Sequence, residues 1–393
     1  MAQFTFSDFI PGNKAPRDAK HIGVYNSQGE RVGEIPLGTL QASHTGTPIY
    51  RFGLLSDVHT DDSDYSYTQT GSYNYNGDEG AGDLRRALTW LRDVEQVNLV
   101  CCCGDLSQAG LDSEYVYSRD VIAEVIPNIP FYTCTGNHDT SGHTSAATFS
   151  NYFNTRTIDT NSYSINISTA YNNSFYFVKS YTYNSQTKND LFIFLSQYQY
   201  SNSTAGQYLA ADMDWVESVI SAHTNDRIFL FNHLFFIEYA GNLGRVNGTG
   251  GIYPSNNVMN GTTKTRMDSM LATYPNVYWF SGHSHWKWST QHYQTNAKVQ
   301  RYGTNGGWTI NVPSCSLPID SDYSSLNGES GNNRVRKPLE SQGAVVDVYP
   351  DSIVLRGIDF NINTSELGDT TKGYTGDTYV RYLPIANYDL SLG

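Results

Sequence analysis

Asp57-Val-His59, Gly104-Asp105, Gly136-Asn137-His138-Asp139, Asn232-His233 and Gly282-His283-Ser284-His285 are the segments of this 393-residue chain whose side chains could do chemistry. Carboxylate, imidazole and amide oxygen are donors that hard and borderline divalent metals accept. Two such ions ~3.5–4 Å apart can clamp the attacking and leaving oxygens of a phosphoryl transfer. A pair of that kind needs one bridging carboxylate, because only a carboxylate neutralises charge while offering an oxygen to each ion. Neutral imidazoles then complete the shells without tying the ions up too tightly. The chain supplies the carboxylates of Asp57 and Asp105, with His59, His233, His283, His285 and the amide of Asn137.

Each segment follows a run of apolar, β-prone residues: 50–55, 99–103, 131–134, 228–231 and 277–280. Five strand ends therefore deliver the donors, and open α/β sheets bind ligands at the carboxyl ends of their strands. For His283 and His285, alternation at a strand end puts both on one side. Glycines at 104, 136 and 282 let the backbone turn sharply where each strand ends. Between the strands, Leu84, Leu88, Leu91 and Val94 recur at helical spacing and predict a helix over 83–97, after the Gly-rich 80–82. Further helices are expected over 112–126, ended by Pro127, over 207–223, and over 262–273.

Strand runs at 174–181 and 190–196 lie between them, and runs at 308–312, 344–349 and 352–358 read as a late meander. Two layers of sheet flanked by helices account for this order better than a single parallel sheet. Residues 1–47 read as a small β appendage, with β-like runs at 22–25 and 31–35 about a Ser27-Gln28-Gly29 turn. The main domain is expected over 48–360, and 361–393, without a strong period, reads as a C-terminal tail. The segments 61–83, acidic and Tyr-rich (Tyr65, Tyr67, Tyr73, Tyr75), and 241–261, rich in Gly and Asn, leave from donor-bearing strand ends and are expected to wall the site.

Composition narrows the classes. Apolar residues make up 39% and charged residues 16%, which excludes a coiled coil and a disordered chain. The 30 Tyr and 17 Phe point to many strands. A net charge of −13 disfavours a nonspecific nucleic-acid grip without excluding a nuclease, since bound metal ions offset charge locally. Apolar runs are of strand length, well short of the ~20 residues of a membrane helix. Residues 1–8 have no signal-peptide pattern. Of the five cysteines, Cys101, Cys102, Cys103 and Cys134 fall in apolar strand runs. Three consecutive cysteines alternate faces and lack CxxC spacing, so they read as buried apolar residues in a reducing compartment. A cytoplasmic location is expected, with virion association as the alternative.

The ordered set Asp-x-His, Gly-Asp, Gly-Asn-His-Asp, a lone His and Gly-His-x-His resembles the calcineurin-like metallophosphoesterase superfamily over roughly residues 50–290. The resemblance implies a four-layer αββα sandwich with two central mixed β-sheets. It implies that Asp57, His59, Asp105 and His285 hold one divalent ion, and that Asp105, Asn137, His233 and His283 hold the other, with Asp105 bridging. His138 would donate a hydrogen bond or proton to the phosphate or leaving oxygen, its ring oriented by Asp139. The implied reaction is hydrolysis of a phosphate mono- or diester by a metal-bound hydroxide.

Gln108 stands where many members carry Asp or Tyr, and His59 where others carry Gly; both argue against the ferric, tyrosinate-ligated branch. A Mn, Fe(II), Zn or Ni pair fits better, acting on a small phosphate ester. The alternative function is a binding or structural module, surface- or virion-associated, on the same fold. His21, His44, His223 and His292 read as ordinary packed or exposed residues, and His143 and Arg245 as loop-surface residues.

Overall fold

The computed structural model describes residues 21–25, 31–36, 46–60, 79–140, 163–169, 173–197, 208–235, 261–288, 299–316, 318–321, 334–336, 341–361 and 381–391. The runs at 61–78 and 241–260, with His44, His143, Arg245 and His292, lie outside them, as does the side chain of His21.

The apolar runs form strands and divide between two sheets. β1 (His21–Tyr25) and β2 (Arg31–Pro36) pair with each other as an antiparallel hairpin. β3 (Tyr50–Leu55), β4 (Leu99–Cys102) and β5 (Phe131–Thr133) run parallel at one end of a six-stranded sheet. β6 (Asn166–Ile167), β7 (Phe175–Tyr183), β8 (Gln186–Phe194), β9 (Arg227–Phe231), β10 (Val277–Ser281), β11 (Val299–Arg301) and β12 (Trp308–Asn311) form a seven-stranded sheet of order β11-β12-β10-β9-β8-β7-β6. In it β8, β9, β10 and β12 run parallel and the outer strands antiparallel. β13 (Ile319–Ser321) and β14 (Arg334–Arg336) form a separate pair. β15 (Ser341–Val348), β16 (Ser352–Asn361) and β17 (Arg381–Ser391) complete the six-stranded sheet in the order β17-β16-β15-β3-β4-β5.

Alternation along each strand sorts side chains into layers. On β4 and its extension, Leu99, Cys101 and Cys103 enter the core between the sheets. Val100 and Cys102 face the helices α1 (Glu79–Trp90) and α2 (Asp112–Val125). On the seven-stranded sheet, Phe192, Phe194, Phe229 and Phe231 point to the inter-sheet core. Leu191, Ile193, Ile228 and Leu230 pack instead on α3 (Ala210–Ala222) and α4 (Gly261–Thr273). The protein is thus an α/β sandwich of four layers with two mixed sheets inside. All five cysteines are buried free thiols. No helix among the described residues is long and apolar enough to cross a membrane.

The inter-sheet core is largely aromatic. Phe52 of β3 meets Phe229, Phe192 and Phe280 edge-on, with ring centroids at 5.1, 5.5 and 6.1 Å, an arrangement favoured by ring quadrupoles. At the amino ends of the parallel strands a buried polar cluster joins the sheets. The Tyr50 hydroxyl donates to Asp190 on β8, and Arg227 on β9 makes a two-pronged contact with Asp190 at 2.9 and 2.7 Å. Arg227 also donates to the carbonyls of Tyr349 and Ser352 at the β15–β16 turn.

Three expectations change. The helix expected over 83–97 starts at Glu79 and passes after Trp90 into a π turn over Leu91–Glu95. The widened turn breaks the 3.6-residue spacing: Val94 is 49% exposed, while Glu95 is buried and bonded to Arg356 and Trp90. The late meander is divided between sheets. β12 pairs parallel with β10, whereas β15 and β16 form a hairpin on β3. Lastly, the stretch from 361 contributes β17, an outer strand paired with β16.

Candidate metal centre

The loops leaving β3 and β4 stay paired beyond their strands. His59 N donates to the Asp105 carbonyl at 3.0 Å, and Thr60 N to that of Leu106 at 2.9 Å. On the second sheet, the Gly282 amide donates to the His233 carbonyl at 2.9 Å. These rails bring the carboxyl ends of β3, β4, β5, β9 and β10 to one mouth of the sandwich, opposite the Tyr50–Asp190–Arg227 cluster.

Backbone conformation aims the side chains there. Among the described residues, eight non-glycine positions have positive φ, and five are Asp57 (51°), His59 (49°), Asp105 (51°), His283 (67°) and His285 (58°). Such conformations cost about 1–2 kcal/mol per residue and concentrate at functional sites. β10 ends at Ser281, so strand alternation does not orient His283 and His285; their left-handed backbone does. Close approach also demands glycine at two places. A Cβ on Gly136 would lie 2.1 Å from Asp105 Oδ1, and one on Gly282 would lie 1.9 Å from Ser56 Oγ.

The donors converge in two groups. Asp57, His59, Asp105 and His285 form one, and Asp105, His233 and His283 the other, with the potential ligand atoms of each group all within 4.8 Å of one another. His59 Nε2 and His285 Nε2 are 3.1 Å apart, and His233 Nε2 and His283 Nδ1 3.2 Å. Asp57 Oδ1 is 3.1 Å from His285 Nε2, and Asp105 Oδ2 is 3.0 Å from His233 Nε2. Asn137 Oδ1 reaches His233 Nε2 at 3.0 Å, which puts the amide with the second group. His138 packs its ring edge-on against His59, centroid to centroid 4.7 Å.

Burial and charge set the protonation of this cluster. Burial opposes ionisation of Asp57, yet positive charge on His285 and His233 outweighs it and holds the carboxyl well below its usual range. Asp105 is depressed in the same way, chiefly by His233. For His233, burial is outweighed by Asp105 and Asp57, raising it to about 9. Burial lowers His59 to about 4. It lowers His283 to about 3, with the charge of His233 adding to the effect.

The residues fit a pair of cations. Imidazole nitrogens that face one another at hydrogen-bond distance require a proton or a cation between them. The buried Asp105 Oδ2 lies 3.0 Å from His233 Nε2 and 3.8 Å from His59 Nε2, so one carboxylate oxygen faces nitrogens of both groups, a placement suited to hard and borderline cations. The other sides of the donors are anchored. The Cys103 carbonyl accepts from His233 Nδ1 at 2.9 Å, which leaves Nε2 as the donor atom facing the cluster. Asp57 accepts from Ser56 Oγ at 2.6 Å and from the His283 amide at 3.0 and 3.1 Å.

Sequence reasoning missed several of these supports. Ser314 Oγ donates to the Asp57 carbonyl at 2.8 Å, and Ser316 Oγ donates to that of Val58. Both follow β12, so the signal was available as one more polar cluster behind an apolar run. The carbonyls of Cys103 and Gln108 had no signal, since every residue has one. Asp139 differs from expectation. Its carboxylate accepts from the amides of Leu106 (3.1 Å), Ser107 (3.0 Å) and Gly136 (2.9 Å) and from Ser107 Oγ (3.0 Å). The His138 ring meets the Gln108 carbonyl, 2.5 Å from Nδ1. Four hydrogen-bond donors already occupy Asp139. Burial and the charge of Asp105 raise its pKa to about 6. His223, read as ordinary, pairs with Asp226 at 2.7 Å beyond the end of α3.

A solved structure shares this architecture, and a second is more distantly similar. A dimetal phosphatase from Danio rerio aligns with a TM-score of 0.53 at 14% identity, covering 88% of this chain and 100% of that one. GAP50, described as the anchor in the inner membrane complex of Plasmodium, aligns with a TM-score of 0.45 at 16% identity, covering 88% and 89%. No curated protein matches by sequence. The family model for calcineurin-like phosphoesterases matches residues 50–287, from the start of β3 to just beyond the last histidine of the cluster. The chain belongs to the calcineurin-like phosphoesterase family.

Proposed function

We propose that this chain is a dinuclear metal-dependent phosphoesterase acting on a small phosphate mono- or diester. The observation that carries the reading is the convergence of two donor groups that share Asp105. In this reading Asp57, His59, Asp105 and His285 hold one divalent ion. Asp105, Asn137, His233 and His283 would hold the other, Asp105 being common to both groups. A mixed nitrogen and oxygen donor set suits Mn, Fe(II), Zn or Ni. Two ions bound there would supply Lewis acidity toward a phosphoryl oxygen and lower the pKa of a water molecule.

The chain's own residues do the rest. Left-handed backbone at five donors fixes the cluster before substrate arrives, which reduces the reorganisation left for the reaction itself. His138 stands against His59 with Nδ1 anchored, so its Nε2 is the atom that would pass a proton to the leaving oxygen. The net charge of −13 supports a small ester over a polynucleotide.

The test is a panel of phosphate mono- and diesters assayed with Mn, Zn, Ni and Mg at several pH values. Metal-dependent hydrolysis, lost in His283→Ala, is expected. Two tightly bound ions with no turnover of any ester would overturn the reading.

A further inference from the structure

Asp139 and His138 are neighbours in sequence, but their side chains do different work. The His138 ring sits at the mouth of the site, with Nδ1 2.5 Å from the carbonyl of Gln108. A carbonyl only accepts, so this contact puts a hydrogen on Nδ1 and fixes which nitrogen faces the cluster. Gln108 closes the loop that begins at Asp105, and that loop is bound from two sides. On one, Thr60 N donates to the Leu106 carbonyl and Gln108 N to the Thr60 carbonyl, both at 2.9 Å. On the other, the fully buried carboxylate of Asp139 gathers the amides of Leu106 and Ser107 together with Ser107 Oγ. Asp139 is itself fixed: Tyr115 donates to its carbonyl at 2.6 Å, and the Gly136 amide donates to its carboxylate. The backbone amide of His138 donates to Asp105 Oδ1 at 2.8 Å and closes the circuit.

We infer that Asp139 is a positioning residue which acts on His138 through the Asp105–Gln108 loop, its carboxylate holding the loop so that the Gln108 carbonyl fixes the His138 ring. The inference rests on the reading of His138 as the proton donor of a phosphoesterase. A carboxylate is suited to the task because it accepts from several donors at once, and charge-assisted bonds are about twice as strong as neutral ones. Asparagine has the same shape, but the oxygen it turns to Leu106 and Ser107 carries no charge, and its NH2 group meets the Gly136 amide, which then has no acceptor. Asp139→Asn therefore weakens the hold on the loop and frees the side chain from Gly136 while keeping side-chain volume.

The experiment uses the full chain with bound metal and two readouts. The first follows the ring nitrogens of His138 by NMR of protein carrying 15N-labelled histidine, the signals being assigned by their loss in His138→Ala. Asp139→Asn is expected to replace the single Nδ1-protonated signal with a mixture of tautomers, while metal content stays at the native value. An unchanged His138 signal overturns the inference.

The second readout is a double-mutant cycle with an alkyl phosphate, whose leaving oxygen needs a proton. Asp139→Asn is expected to slow turnover in the native background by no more than the ~10²–10⁴-fold that loss of a general acid costs, and to have no further effect in His138→Ala. Equal losses in both backgrounds overturn it. Should Asp139→Asn not fold, Ser107→Ala removes one of the same donors and is judged by the same two readouts. If the native protein hydrolyses no ester, the phosphoesterase reading fails while the NMR arm still decides the positioning role.

Discussion

Asp105 Oδ2 lies 3.0 Å from His233 Nε2, although Asp105 follows a strand of the six-stranded sheet and His233 a strand of the seven-stranded one. The two donor groups are not properties of either sheet alone. They exist because the aromatic core holds the sheets face to face with their parallel strands ending at the same mouth. The contact between His59 Nε2 and His285 Nε2 crosses the same seam at 3.1 Å. Whatever disturbs the inter-sheet packing is therefore felt at the donors, and a change at the shared carboxylate is felt by both groups.

Asp105 is the one residue common to both groups, so its loss should cost more than the loss of any single imidazole. Asp105→Asn keeps shape and the acceptor for the His138 amide but removes the charge. Elemental analysis after gel filtration should find fewer than two ions per chain, where His285→Ala should retain one. Hydrolysis should fall by more than the ~10–100-fold that loss of an outer hydrogen-bond partner costs a metal site. Two ions retained in Asp105→Asn would contradict a bridging role.

The pH dependence separates the metal-free protein from the loaded one. His233 is raised from its ordinary 6.5 to about 9 because Asp105 and Asp57 outweigh the effect of burial. A group whose folded pKa is raised lends stability below its unfolded pKa and loses it as pH climbs through the folded value. In EDTA the melting temperature should therefore fall between pH 6.5 and 9. His59 and His283, lowered to about 4 and about 3, act below pH 6.5 and leave that window to His233. With metal bound the imidazole is already deprotonated, so the decline should vanish. Calorimetry in buffers of different ionisation enthalpy should show about one proton released on binding near pH 7.5. A flat melting profile in EDTA across the window would refute the assignment.

The donors were legible in the sequence because Asp, His and Asn after an apolar run are conspicuous: nothing in a buried strand end calls for them unless they bind something. Their anchors were illegible for the opposite reason. The carbonyls of Cys103 and Gln108, which set the tautomers of His233 and His138, have no residue-type signature. Sheet membership was hidden as well. Trp308-Thr-Ile-Asn311 reads as a strand, but its partner is decided by packing on Tyr278–Ser281 across the fold. The π turn at Leu91–Glu95 escaped notice because Val94 continues the helical spacing, while the need to bury Glu95 against Arg356 breaks it.

Glycine at 136 and 282 is required by contact. Gly282→Ala would bring a Cβ to 1.9 Å from Ser56 Oγ and 2.5 Å from Asp57 Oδ2, and Gly136→Ala to 2.1 Å from Asp105 Oδ1. Neither carboxylate can retreat without leaving its donor group, so each substitution should cost about 1–3 kcal/mol in stability and weaken metal binding together. Gly46→Ala, with nothing within 4 Å, should be neutral by both measures. Thermal unfolding and metal titration decide the matter. Native metal affinity in Gly282→Ala would mean that the Ser56–Asp57 segment has room to move.

The Tyr50–Asp190–Arg227 cluster tests the separation of stability from chemistry. Asp190 takes two bonds from Arg227 and one from Tyr50, and its partner Arg227 is 4% exposed, too buried for water to replace the carboxylate. Removing one member of such a pair leaves an uncompensated charge, at a typical cost of 3–5 kcal/mol. Asp190→Ala should therefore lower the denaturation midpoint strongly. Because the cluster sits at the amino ends of the strands, the surviving folded protein should still bind its full complement of metal at the opposite mouth. Arg227→Met with Asp190→Leu should recover much of the loss, since an apolar pair leaves no stranded charge. If Asp190→Ala emptied the metal site while the fold survived, the two ends of the sandwich would be coupled, and the rigid packing of Phe52, Phe192 and Phe229 between them would be the connection to examine.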